Sequence, residues 1–402
     1  MTQAPGLSQA RLERIPKVMR DYVSRGEVAG MVALVCRHDE LHVATLGVRD
    51  LVSKAPMQRD TIFRIASMTK PITAVAAMIL VEEAKLRLDE PLDRFLPELA
   101  NRKVLRSIES QLDDTVPAKR PLTLRDLLTF RLGVGAVMAP PGRYSVQAAM
   151  ADAGLAPGPN PVPFSPDEFM VRIARLPLMH QPGEKWMYHT GSDILGVLIA
   201  RASGMAFEAF LADRIFAPLG MKDTAFFVPD SKIDRLATAY QTDVTTGQLT
   251  VYDTAYGGQW SRPPTFPSGG GGLVSTIDDY LAFGRMMLNF GKYDGGRILA
   301  RPTVELMIAD HLTPEQKAAS PFFPGFWDSR GWGFGVAVVT RRDGIAATPG
   351  QYGWVGGFGT TWCSDPHDDM VTILLMQRLM RGPDDMAINQ DFLTLAYQAI
   401  DD

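Results

Sequence analysis

Strand-forming residues stand at both ends of this chain, and a long helical stretch separates them. That order restricts the fold more than any other feature. Near the start, MVALVC (31–36) and LHVATLGV (41–48) read as two strands joined by the polar turn Arg37-His38-Asp39-Glu40. Near the end, VAVVTR (336–341), FGTTWCSD (358–365) and MVTILLMQ (370–377) are again rich in β-branched and aromatic residues. From about Leu88 the intervening text is different: LDEPLDRFLPEL, LTLRDLLTF, DEFMVRIARLPL, ILGVLIARASG and FEAFLADRIFAPLGM are short helical or loop pieces with much proline. Consecutive strands joined by short turns pair antiparallel. The expectation is a mixed α/β (α+β) fold, an antiparallel β-sheet flanked by helices and built from residues 1–90 and 265–402. A mostly helical region over 91–264 interrupts it.

Leu12, Ile15, Met19, Tyr22 and Val23 recur at helical spacing, which predicts a helix over 8–24 ended by Gly26. SMTKPITAVAAMILVEEAKL is apolar nearly all round from Ile72 to Val81, so it is expected inside the protein. Pro71 is tolerated only in a first turn, which places the start of that helix at about Ser67. Further helices are expected at LAFGRMMLNFG, RPTVELMIAD and FLTLAYQAI, and the Pro, Gly and Ala content of 135–166 reads as a long surface loop.

Several function classes are excluded at this level. A formal charge of −4 with no basic run gives no reason to expect nucleic acid as a partner. No run of about 18 apolar residues occurs, so no membrane span is expected. The first residues carry no continuous apolar stretch of the secretory kind, and a cytoplasmic protein is expected. The 2 cysteines, Cys36 and Cys363, cannot make a disulfide framework and read as buried thiols in strands. His38-Asp39-Glu40-Leu41-His42 is not a zinc motif and falls on a turn, so no metal site is expected. Ser268-Gly269-Gly270-Gly271-Gly272 lacks the Gly-Lys-[Ser/Thr] of a phosphate loop and reads as a tight turn beside the cleft. G-x-S-x-G is absent, which removes the α/β-hydrolase elbow.

Three elements carry chemistry. Ser67 and Lys70 in Ser-Met-Thr-Lys are three apart, on one face of a helix. A serine at a helix start lies near free N–H groups and the positive end of the dipole, and a lysine one turn on sets a base against its hydroxyl. Tyr188 in KWMYHTGSDILG titrates near 10 when unperturbed and becomes a base only where cations stabilise the phenolate, a charge Lys70 could supply. The glycines of Gly353-Trp354-Val355-Gly356-Gly357-Phe358-Gly359-Thr360 mark a strand that something approaches closely. There the N–H of Gly357, paired with that of Ser67, would make an oxyanion hole. His189 adjoins Tyr188, and neighbours in an extended segment point to opposite faces, which assigns it to the rim or to structure. Each of these signals is weak alone.

Taken together, Ser67-x-x-Lys70, then Tyr188, then a glycine-rich strand near the end is the motif order of the serine β-lactamase and penicillin-binding-protein superfamily. Blocks such as QPGEKWMYHTGSDILG, GGGGLVSTIDDYLAFGRMMLNFG and YGWVGGFGTTWCSDP resemble its class C β-lactamase branch and, within that, the family VIII carboxylesterases. The resemblance covers about residues 10–400. It implies the β-lactamase/DD-peptidase-like fold, Ser67 as nucleophile, Lys70 and Tyr188 as a coupled acid/base pair, and N–H groups of Ser67 and Gly357 as oxyanion hole. It also implies no cofactor. Two departures direct the substrate reading. Where β-lactamases carry Lys-Thr-Gly, this chain has Trp354-Val355-Gly356; where they carry Tyr-x-Asn, it has Tyr188-His189-Thr190. The cation, hydroxyl and amide that greet an anionic acylamino substrate are gone. Cleavage of small-molecule carboxylic esters is therefore expected, with Trp354, Val355, Gly356, Thr190 and His189 lining the substrate. Tyr252, Tyr256, Trp260, Phe322, Phe323, Phe326 and Trp327 either rim the site or pack into the core. Amide hydrolysis and acyl transfer on the same scaffold, and a catalytically dead binding module, are the rival readings. The natural substrate and the oligomeric state are not legible in the sequence.

Overall fold

The computed structural model describes residues 6–401. Its centre is a seven-stranded antiparallel sheet. The strands are β1 (Gly30–Arg37), β2 (Glu40–Gly47), β3 (Arg330–Trp332), β4 (Ala337–Val339), β5 (Tyr352–Val355), β6 (Thr361–Asp365) and β7 (Met370–Met376), in the order β3-β4-β5-β6-β7-β1-β2. The N-terminal hairpin thus joins the C-terminal strands through β1 and β7, with Leu34 opposite Ile373 and Ala33 opposite Leu374. Both strands are buried along their whole length. Side chains alternate between faces, so a continuous apolar run such as MVALV or ILLM marks a strand covered on both sides.

Five helices position what matters. They are α1 (Arg14–Ser24), α2 (Thr69–Glu82), α3 (Thr190–Ser203), α4 (Ile277–Leu288) and α5 (Ala387–Tyr397). On one face of the sheet, Ala33, Val35 and Leu374 pack with Ile15 and Met19 of α1 and Phe392 of α5. On the other, Leu34, Ile373 and Trp362 join a larger core with Tyr280 and Phe283 of α4 and the buried length of α2. That core continues without a break into the mostly helical stretch between β2 and β3, through α3 and the helices Leu124–Leu128 and Pro166–Arg175. No single helix among the described residues is long and apolar enough to cross a membrane.

Local differences from the sequence-based expectation have simple causes. The first helix comes in two pieces, Gln9–Leu12 and Arg14–Ser24, with Glu13 as the joint. The helix expected from Ser67 begins with a 3₁₀ turn, Ala66–Met68, and is α-helical from Thr69, so Pro71 occupies its third residue, where the missing N–H costs nothing. The stretch expected as loop over 135–166 contains the helix Ser145–Asp152. Val146 and Met150, four apart, supply its buried stripe, and the Gln147 side chain accepts from the Tyr144 N–H at 3.1 Å. Cys36 and Cys363 are free thiols on β1 and β6.

Candidate active site

Ser67 sits in the middle of the 3₁₀ turn, half-buried, after Ala66 at φ 42. A left-handed non-glycine residue is held only where its surroundings over-determine it. Here the Ile65 N–H donates to the Leu273 carbonyl at 3.0 Å, the Leu273 N–H donates to Thr69 Oγ1 at 3.2 Å, and the Tyr280 hydroxyl donates to the Met68 carbonyl at 2.8 Å. One turn on, Lys70 Nζ lies 2.9 Å from Ser67 Oγ and donates to the Gly270 carbonyl. Lys70 is fully buried, and no carboxylate of the described residues is within ion-pair distance of it. Burial pushes its ammonium down to about 7, against a smaller opposing pull from the Asp193 charge.

Tyr188 stands on the segment that leads into α3, two residues before its start. Its ring covers Lys70, whose Nζ is 4.6 Å from the ring centroid. The phenol oxygen accepts from Trp354 Nε1 at 2.7 Å, and the Ser67 hydroxyl lies close enough to oppose part of the effect of burial on the phenol. Phe130, Trp186 and Trp354 pack around the ring at 5.6–5.8 Å between centroids. The sequence suggested that Lys70 would stabilise a phenolate. The structure places the Lys70 nitrogen over the ring face, and burial dominates, pushing the phenol well above its ordinary value. Burial thus favours the protonated phenol at Tyr188 and weakens the ammonium at Lys70.

The glycine-rich turn after β5 completes the constellation. A Cβ at Gly356 would stand 2.3 Å from the Ile65 carbonyl oxygen, so only glycine lets the end of β5 close against the turn that carries Ser67. Thr360 Oγ1 donates to the same carbonyl at 3.2 Å. At Gly357 a Cβ would meet nothing within 4 Å; this residue faces a cavity of about 820 Å³, which Ser67 also borders. Tyr188, His189, Trp354 and Val355 line that cavity too. Thr190 and Gly356 do not: Thr190 is buried as the first residue of α3, and Gly356 is spent on the backbone contact. The aromatic residues divide. Trp260, Phe322, Phe323 and Phe326 line the cavity. Trp327 packs edge-on against Trp186 at 5.2 Å with its indole donating to the Ser320 carbonyl, and Tyr256 is exposed outside it. Tyr252 donates to Asn160 Oδ1.

Two participants were not singled out from sequence: Asp193 and the Gly270 carbonyl. The Ser-Gly-Gly-Gly-Gly sequence by itself predicts a turn and nothing more. A backbone acceptor leaves no signature in residue type, and an aspartate four residues past His189 looks like an ordinary first-turn acid of a helix.

The Trp354 indole is the one donor to the Tyr188 phenol from the last motif. Trp354→Phe keeps the ring and removes that donor; kcat on an ester is expected to fall about tenfold, as for one lost buried hydrogen bond, with KM changed less than twofold. Steady-state kinetics read this directly.

A family model described as Beta-lactamase matches residues 15–395. Protein Rv1367c of Mycobacterium tuberculosis is 38% identical over 369 residues, covering 89% of this chain and 88% of that protein. A lovastatin esterase of Penicillium rubens is 31% identical over 387 residues, covering 89% and 91%. Among solved structures, EstCE1, described as a hydrolase with promiscuous acyltransferase activity, superposes with a TM-score of 0.78 at 24% identity over 98% of this chain and 99% of its own, a likeness of fold. With the serine–lysine pair, the tyrosine over it and the glycine turn in place, and the match running through nearly the whole sequence, the chain belongs to the beta-lactamase family.

Proposed function

We propose that this protein hydrolyses carboxylic esters through an acyl-enzyme on Ser67. One observation carries the reading: a buried lysine amine, near neutral at physiological pH, lies 2.9 Å from a serine hydroxyl at the floor of a broad, mostly apolar cavity. The similarity to a lovastatin esterase points to the same bond type, and Trp354-Val355 in place of a cationic motif favours uncharged substrates. Lys70 takes the Ser67 proton as Oγ attacks the ester carbonyl carbon. The N–H groups of Ser67 and Gly357 receive the oxyanion. As the tetrahedral adduct collapses, the leaving alcohol takes a proton from the Tyr188 phenol, which Lys70 refills. Water then attacks the acyl-serine by the same route, releasing the acid and restoring the serine hydroxyl. A bound alcohol in place of that water turns the sequence into acyl transfer. The apolar walls beside Ser67 favour this second reading for hydrophobic acceptors, and transester product formed on adding alcohols would reveal it.

A panel of nitrophenyl esters set against a chromogenic cephalosporin tests the assignment, with an organophosphonate probe followed by mass spectrometry. Ester turnover and an adduct on Ser67 are expected; a higher kcat/KM on the cephalosporin, or no adduct, refutes it. The pH dependence follows from the amine. Lys70 must be unprotonated in the free enzyme, so kcat/KM is expected to rise with pH through about 7 and level off above it. A profile flat from pH 5 to 9 would contradict Lys70 as base.

A further inference from the structure

Asp193, on the first turn of α3, is a buried carboxylate with no part in the steps above. Its Oδ1 accepts from Ser268 Oγ at 2.6 Å and from the Gly270 N–H at 3.0 Å. The carbonyl of that same Gly270 accepts from Lys70. The neighbouring Gly269 carbonyl accepts from Thr73 Oγ1 at 2.8 Å, one turn along α2 from the lysine. The turn is packed onto α3 as closely as backbone allows: a Cβ at Gly269 would stand 2.3 Å from the Ser192 carbonyl, and one at Gly270 3.0 Å from Asp193 Oδ1.

A second route to Lys70 runs through His189. Its φ of 104 is a left-handed conformation uncommon for a residue with a side chain. The conformation sets the imidazole between the two groups, with Nδ1 3.5 Å from Lys70 Nζ and Nε2 3.7 Å from Asp193 Oδ2. Burial, and then the Lys70 charge, push His189 down to about 4, so the ring is neutral. In the tautomer with its hydrogen on Nε2, toward the carboxylate, Nδ1 offers Lys70 a lone pair.

A neutral amine has two N–H bonds and one lone pair. The Gly270 carbonyl and His189 Nδ1 are acceptors for both hydrogens, which leaves the lone pair to the Ser67 hydroxyl. Among the described residues, the contacts of Lys70 come from three segments. The 3₁₀ turn brings Ser67, the 188–193 segment brings Tyr188, His189 and Asp193, and the 268–272 turn brings only the Ser268 hydroxyl and carbonyls.

We propose that Asp193 is a positioning residue, acting through Gly270 and a neutral His189 to aim the Lys70 lone pair at Ser67 and to set when that nitrogen carries a proton. This rests on Lys70 being the base at Ser67. The test is the pH profile of kcat/KM on a nitrophenyl ester for the full chain and for Asp193→Asn. The asparagine oxygen still accepts from Ser268 and Gly270, but the negative charge is gone. The acid limb is expected to move to lower pH by about one unit, since the carboxylate no longer favours the ammonium, and the plateau to fall about tenfold. An aspartate that merely held the turn would lower the plateau without moving the limb, so an unmoved limb, or one displaced upward, overturns the proposal. Should that variant not fold, His189→Ala reads the same relay. A drop in kcat of about tenfold at similar KM is expected, and an unchanged kcat overturns the proposal. Failure of the underlying reading looks different: the unaltered protein would show no ester turnover and no phosphonate adduct on Ser67.

Discussion

Lys70→Met is expected to lower kcat/KM on a nitrophenyl ester by about 10⁴-fold or more, close to the loss from Ser67→Ala, because the two groups act as a unit. Methionine is nearly isosteric and apolar, and Lys70 is fully buried, so the site should remain packed. What disappears is the acceptor for the Ser67 proton 2.9 Å away. The double variant should lose little more than either single one. Phosphonate labelling of Ser67 should slow by a similar factor, with an unchanged circular dichroism spectrum. If Lys70→Met retained more than a tenth of the activity, Tyr188 would have to be the base after all. That would require a phenolate in surroundings that push the phenol upward.

The second large effect is on stability. Arg64 is buried two residues before Ala66, and its fork donates to Asp253, to the Ala237 carbonyl at 2.6 Å and to the Thr254 carbonyl at 3.0 Å. Its guanidinium also lies over the Trp260 ring, 5.2 Å from the centroid. Asp253 Oδ1 in turn accepts the Gln259 N–H at 2.7 Å, so the pair ties the cavity wall at Gln259 and Trp260 to the strand that leads into Ser67. Arg64→Met leaves a buried carboxylate with no cation and two carbonyls with no donor. A loss of about 3–5 kcal/mol in unfolding free energy is expected by chemical denaturation. Replacing both partners, as Arg64→Met with Asp253→Leu, should recover a large part of that loss, because the cost lies in the orphaned charge. No recovery in the double variant would mean that the carbonyl contacts, rather than the ion pair, dominate.

How much of this was readable beforehand follows from the range of each interaction. The strands β1 and β7 were legible from continuous apolar runs, because two-sided burial writes itself into consecutive residues of a strand. The interior course of α2 was legible from Ile72 to Val81 for the same reason. The helix over 145–152 was not, because its two buried residues stand among prolines and glycines that dominate a composition reading. At the site, Ser67 and Lys70 are local, three residues apart on one turn, and spacing alone set them side by side. Gly356 and Thr190 were expected against the substrate because they sit in the motifs. The structure turns one against the Ile65 backbone and buries the other at a helix start.

The chain's own text determined which segments become strands, which helix is interior, and that a serine and a lysine share a turn. These properties depend on periodicity within a dozen residues. Only the tertiary structure decided that the Tyr188 ring lies over Lys70 where burial favours the protonated phenol, that Trp354, 166 residues further on, donates to that phenol, and that a carbonyl 200 residues from Lys70 takes one of its hydrogens. Proton affinity and hydrogen-bond partners depend on what surrounds a group once water has been excluded. That surrounding is assembled from segments no local pattern connects.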